Sequence, residues 1–125
     1  MSGNPRYILD TNAIISLLSG NLDLAKRLEH ADYVGISVIS YFEFLVFNNL
    51  TERDHHCFNE FCERVEVVPL SYENTELTTQ VLTFRKDRLK LPDAIIAATA
   101  AIRDAILVTD DSHFIGMPAL QTQRC

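Results

Sequence analysis

Four carboxylates stand where apolar segments meet short polar turns. Asp10 follows Tyr7-Ile8-Leu9, Glu43 lies one helical turn beyond a β-branched run, and Asp93 comes directly after Pro92. Asp111, with Asp110 before it, follows Ile106-Leu107-Val108-Thr109. Oxygen donors of this kind, if brought together, suit hard divalent cations, Mg²⁺ or Mn²⁺. Packed without a cation they repel and raise one another's pKa. Ions held by such donors grip phosphate oxygens, activate water and support in-line displacement at a phosphodiester. Phosphoryl chemistry is the class that these residues indicate.

Each acid also has an ordinary explanation. Ser40-x-x-Glu43 reads as a capping box, and Pro92-Asp93 as the first turn of a helix whose dipole welcomes an acid. Asp10 suits an N-cap, and Asp110-Asp111-Ser112 a turn. The neighbours separate the two readings. Glu43 is embedded in Tyr41-Phe42-Glu43-Phe44-Leu45-Val46-Phe47, and Asp93 borders Ala94-Ile95-Ile96-Ala97-Ala98. An acid with no role is costly to bury among such residues.

The elements that must position these groups alternate along the chain. Tyr7 to Leu9 reads as a strand, Ala13 to Leu18 and Leu22 to His30 as helices, and Tyr33 to Ile39 as a second strand. Helices are expected over Ser40 to Asn49 and Glu52 to Arg64, then a short strand over Val65 to Pro69. A long helix is expected from about Tyr72 to Lys90, and another, opened by Pro92, over Asp93 to Arg103. Ile106 to Thr109 is the last clear strand, and Ala119 to Gln123 suggests an edge. Apolar strands separated by helices indicate a mainly parallel sheet covered on both faces, an α/β three-layer sandwich. In such a sheet, ligands bind beyond the carboxyl ends of the strands. Asp10 and Asp110/Asp111 fall there directly, and Glu43 and Asp93 fall at helix N-termini near the same edge.

Composition agrees. The chain has 125 residues, of which 47% are hydrophobic, enough for one domain over 1–125 that folds without a disulfide or metal staple. Three cysteines argue against a disulfide framework. No uncharged run exceeds 12 residues, too short to span a bilayer, and the N-terminus lacks a secretory pattern, so a cytoplasmic protein is expected. The net charge of -6 disfavours coating a duplex by charge alone. Without the four acids the balance is 11 bases against 13 acids, and Arg85, Lys86, Arg88 and Lys90 form a local basic stretch able to guide a phosphate backbone. His55-His56-Cys57 with Cys62 fits no usual zinc spacing.

With these residues in view, the chain resembles the PIN-domain family, most closely the small stand-alone kind found in VapC-type toxins. The resemblance rests on Ile8-Leu9-Asp10-Thr11-Asn12-Ala13, Ser37-Val38-Ile39-Ser40-x-x-Glu43, Leu91-Pro92-Asp93-Ala94-Ile95-Ile96-Ala97-Ala98-Thr99-Ala100 and Leu107-Val108-Thr109-Asp110-Asp111-x-x-Phe114. It implies a twisted parallel sheet between helices and a Mg²⁺- or Mn²⁺-dependent endoribonuclease acting on single-stranded or looped RNA. Asp10, Glu43, Asp93 and Asp111 match the family's catalytic and metal-binding acids. Asn12 and Thr109 match supporting polar positions, and Asp110 offers a second acid beside the fourth. The expected division of labour has Asp10, Asp93 and Asp111 holding the metal and Glu43 completing or orienting its coordination. No His or Lys is expected near these motifs as an alternative base. If the chain is a toxin, the resemblance also implies a homodimer and a small antitoxin. The alternatives are an RNA-processing PIN nuclease outside any toxin–antitoxin pair and an inactive PIN-fold interaction module. An Asp-x-Asp phosphohydrolase is disfavoured by Asn12, and a receiver domain by the position of the acid pair late in the chain.

Overall fold

Five parallel strands form the centre of the molecule in the order β3-β2-β1-β4-β5. They are β1 (Arg6–Leu9), β2 (Tyr33–Ser37), β3 (Glu66–Val68), β4 (Ile106–Val108) and β5 (Thr122–Gln123). The computed structural model describes residues 3–125; Met1 and Ser2, the start of the expected 1–125 domain, lie outside the described residues. The helices are α1 (Thr11–Leu18), α2 (Leu22–Glu29), α3 (Val38–Leu45), α4 (Glu52–Arg64), α5 (Thr75–Lys86) and α6 (Leu91–Ile102).

Side-chain alternation along the strands divides the core in two. Ile8 and Leu107 point to one face, where they pack with Leu77 and Phe84 of α5 and the alanine-rich face of α6. Tyr7, Leu9 and Val108 point to the other, against Ala13 and Ile14 of α1, Leu24 of α2, Phe44 of α3 and Phe58 of α4. Phe44 and Phe58 stack with centroids 4.0 Å apart. The expected three-layer sandwich is therefore present, and its sheet is wholly parallel.

Boundaries moved where capping side chains compete with apolar periodicity. Asp10 caps α1, which begins at Thr11 rather than Ala13. Ser37 ends β2, its Oγ accepting the Ile39 N–H at 3.1 Å, so α3 starts at Val38. Ser40 is thereby placed inside the helix, where its hydroxyl is buried without a partner, and the expected Ser40–Glu43 capping box does not form. Asn74 caps α5, and that helix stops at Lys86, four residues earlier than its apolar pattern suggests. The N-cap of α6 is Lys90, which places Pro92 and Asp93 in its first turn.

Candidate active site

The strand order reverses beside β1, where the chain has gone to β2 and β3 on one side and to β4 and β5 on the other. The crevice at that point, beyond the carboxyl ends of β1 and β4, is where an open parallel sheet offers a binding site. Asp10 emerges from β1 at this place, 5% exposed. Its Oδ1 accepts the Thr11 N–H at 2.8 Å. Its Oδ2 accepts the Thr109 hydroxyl at 2.7 Å and the Asn12 side-chain amide at 3.0 Å. Asn12 Oδ1 in turn accepts the Asp110 N–H at 3.1 Å, and Thr109 Oγ1 accepts the Asp111 N–H at 3.0 Å. Asn12 and Thr109 thus lace the end of β1 to the turn after β4.

Glu43 arrives from α3, where its Oε1 accepts the Thr11 hydroxyl at 2.6 Å. Asp93 enters from the first turn of α6. Asp10, Glu43, Asp93 and Asp111 line one open cavity of about 500 Å³, whose apolar wall includes Ile15, Val46 and Phe47. Asp110 is turned away; its Oδ1 accepts the Cys125 N–H at 2.9 Å and its carbonyl accepts from Arg124 at 3.0 Å. The fourth carboxylate in the cavity is Asp111.

The four acids feel one another. Burial pushes the Asp10 carboxyl above its ordinary value; the Thr109 and Thr11 hydrogen bonds oppose this, and the charges of Glu43 and Asp93 add to it. Asp93 is also raised, first by burial and then by Asp111 and Glu43, with His113 and Lys90 acting in the opposite sense. A group of oxygen donors that penalises its own ionisation is one that a cation relieves.

His113 and Lys90 border the acidic cavity. One ligand atom each of Asp93, Asp111 and His113 lie within 4.8 Å of one another, and His113 Nδ1 is 2.9 Å from Asp111 Oδ1. Lys90 lines a second cavity of about 450 Å³ that shares Asp93 and Asp111 with the first. A basic side chain and an imidazole stand beside the carboxylates. The signal for His113 was its two-residue spacing from Asp111, which also lets its N–H bond Asp111 Oδ1 at 2.9 Å. Of the basic stretch, Arg88 and Lys90 reach this second cavity, whereas Arg85 donates to the Leu89 carbonyl at 2.7 Å. Lys86 ends α5 and lines neither cavity. Cys57 and Cys62 are half-buried free thiols, and His56 pairs with Glu60 at 3.1 Å.

Residues 7–120 match the family model described as PIN domain. The chain belongs to the PIN-domain family. Among solved structures, this PIN domain is similar to a chain of a toxin–antitoxin complex from Klebsiella pneumoniae, with 27% identity over 91% of this chain and 94% of that one and a TM-score of 0.73. It is similar to a chain of VapBC-1 from nontypeable Haemophilus influenzae at 27% identity, covering 94% and 96% of the two chains with a TM-score of 0.69. DNA-bound VapBC from Salmonella typhimurium shares the fold with a TM-score of 0.79 at 21% identity, covering 96% and 98%. A comparison with curated protein sequences finds no match. No helix among the described residues is long and apolar enough to cross a membrane.

Proposed function

We propose that this PIN domain is a divalent-metal-dependent endoribonuclease that hydrolyses phosphodiester bonds in single-stranded or looped RNA, as the toxin of a type II toxin–antitoxin pair. The observation that supports it most is the meeting of four carboxylates, from β1, α3, α6 and the turn after β4, in one solvent-open cavity at the reversal of strand order. The solved neighbours from toxin–antitoxin complexes support the toxin reading and a small antitoxin partner; a homodimer and a cytoplasmic place of action are part of the same proposal.

The donor set fits Mg²⁺ or Mn²⁺. It is dominated by carboxylate oxygen, and burial and mutual repulsion keep Asp10 and Asp93 reluctant to ionise alone. When bound, the ion supplies Lewis-acid polarisation of a phosphate and a more acidic water. Asp10, Asp93 and Asp111 would hold it. Glu43, fixed by the Thr11 hydroxyl, completes or orients the set. Asn12 and Thr109 keep the Asp10 carboxylate in one orientation through bonds to the same oxygen. Ile15, Val46 and Phe47 form the apolar side of the cavity.

Purified protein is expected to cleave RNA with Mg²⁺ or Mn²⁺ and to stop in EDTA. Asp93→Asn should abolish cleavage while the melting curve shows a folded chain. The substitution removes one helix-dipole contact of about 0.3–1 kcal/mol but also relieves repulsion from Asp111 and Glu43. Equal cleavage in EDTA, or by the variant, refutes the metal mechanism.

A further inference from the structure

The turn between α5 and α6 carries an arginine in a backbone conformation that favours glycine. The Arg88 N–H bonds the Arg85 carbonyl at 3.0 Å and the Leu89 N–H bonds the Phe84 carbonyl at 3.3 Å, the Schellman closure of a helix. That closure requires a left-handed residue after the cap, and Arg88 has φ +75°. Leu89 is buried at 3% exposure and anchors the turn, and Arg85 buttresses it through the Leu89 carbonyl. The Arg88 side chain makes no hydrogen bond or ion pair among the described residues, so its guanidinium is not needed to hold the turn. It lines the second cavity instead, beside Lys90 and His113, and the wall of that cavity is Asp93 and Asp111.

We infer that Arg88 and Lys90, with His113 beside them, form a subsite for a backbone phosphate of the RNA strand whose scissile bond lies in the adjoining acidic cavity. This rests on the ribonuclease reading and goes beyond it by naming where the strand is gripped. The guanidinium offers a planar fork to phosphate oxygens and Lys90 a point charge. Asp87 also lines the cavity. With Asp93 and Asp111 unneutralised, three carboxylates face Arg88 and Lys90, and the subsite repels an anion. A divalent ion on Asp93 and Asp111 leaves the two bases in excess of Asp87. Phosphate binding here is therefore coupled to the metal that the reaction needs.

Arg88→Gly separates this role from a structural one. Glycine suits the left-handed turn, so the variant should melt no lower than the parent. The probe is a short fluorescein-labelled phosphorothioate oligoribonucleotide, which resists hydrolysis, followed by anisotropy in Mn²⁺ at several salt concentrations. Affinity should fall about tenfold and the slope of log K against log salt should shrink by about 1. Arg88→Lys should recover part of the affinity and none of the gain in melting temperature. Unchanged affinity and salt slope in Arg88→Gly overturn the subsite. If the parent still cleaves RNA with metal, the ribonuclease reading survives that failure; a parent that neither binds nor cleaves RNA sinks both.

Discussion

Thr11 shows how much of the site depends on one hydroxyl. It follows Asp10 in the chain and holds two of the four acids, since its N–H bonds Asp10 and its Oγ1 donates to Glu43. Partners that orient ligands typically change metal affinity by about 10–100-fold when removed. Thr11→Val keeps the shape and deletes the donor, so Mn²⁺ affinity measured by titration calorimetry should drop within that range while the fold persists. Unaltered affinity would mean that Glu43 needs no such restraint. Asp10 was readable in the sequence as an acid at the end of an apolar strand, whereas Asn12, in the first turn of α1, and Thr109 were marked only by the resemblance to the PIN family. His113 could be placed beside Asp111 by its spacing, but only the fold brings it to Asp93. Ser40 misled instead. Its spacing to Glu43 matches a cap, but Ser37 caps first and leaves Ser40 in the helix interior.

At the scale of elements, the two ends of the sheet do different work. The carboxyl edge gathers acids; the amino edge is tied together. Arg103, just past α6, donates to both oxygens of Glu66 at 2.8 and 3.0 Å, and Tyr33 donates to the same carboxylate. Arg6 of β1 lies over the Tyr33 ring at 4.4 Å and donates to the Arg103 carbonyl at 2.9 Å. Gly35 permits this, because a Cβ there would collide with the Tyr33 ring and hydroxyl. The Arg103 bond, ahead of the weaker Tyr33 and Arg6 effects and against some burial, holds the Glu66 carboxyl below its usual value. A carboxyl depressed on folding contributes stability above its unfolded pKa, about 4.3, and loses it as pH falls through the folded value. Glu66→Gln should therefore lower the urea midpoint at neutral pH, and the gap to the parent should close as the medium is acidified below about pH 4. The side chain is 39% exposed, so solvent screening keeps the effect under about 1 kcal/mol. A gap that stays constant with pH would assign the loss to packing rather than charge. The strands and helices that make this frame were legible because short apolar runs alternate with segments of helical periodicity. Their ends were not, since a capping Asn74, a left-handed Arg88 and the two-residue β5 carry little periodic signal.

Over the whole molecule, the proposed dimer needs an exposed apolar surface, and the hollow beside α5 is a candidate for it. Leu70, Tyr72 and Leu82 are exposed by 52%, 91% and 59%, and with Val81 and Ile95 they line an apolar hollow of about 230 Å³ beside α5. Monomers seldom leave apolar residues of this size grouped in water. Tyr72, assigned to a long helix in the sequence, falls in the turn before α5, and the helical pattern did not separate Leu82 from Leu77 and Phe84. The fold does so: α5 buries Leu77 and Phe84 and leaves Leu82 outside. A charge at the centre of this hollow should be tolerated by a single chain and rejected by a pair. Leu82→Glu is accordingly expected to shift the parent dimer to monomer in light scattering, with melting changed by less than about 0.5 kcal/mol in concentration-independent terms. All four carboxylates of the cavity come from one chain, so the monomeric variant should still bind Mn²⁺ as the parent does. A parent that is monomeric from the outset removes the dimer. A variant that stays dimeric moves the interface to another face, and loss of Mn²⁺ binding on dissociation would mean that the site is completed across the two chains.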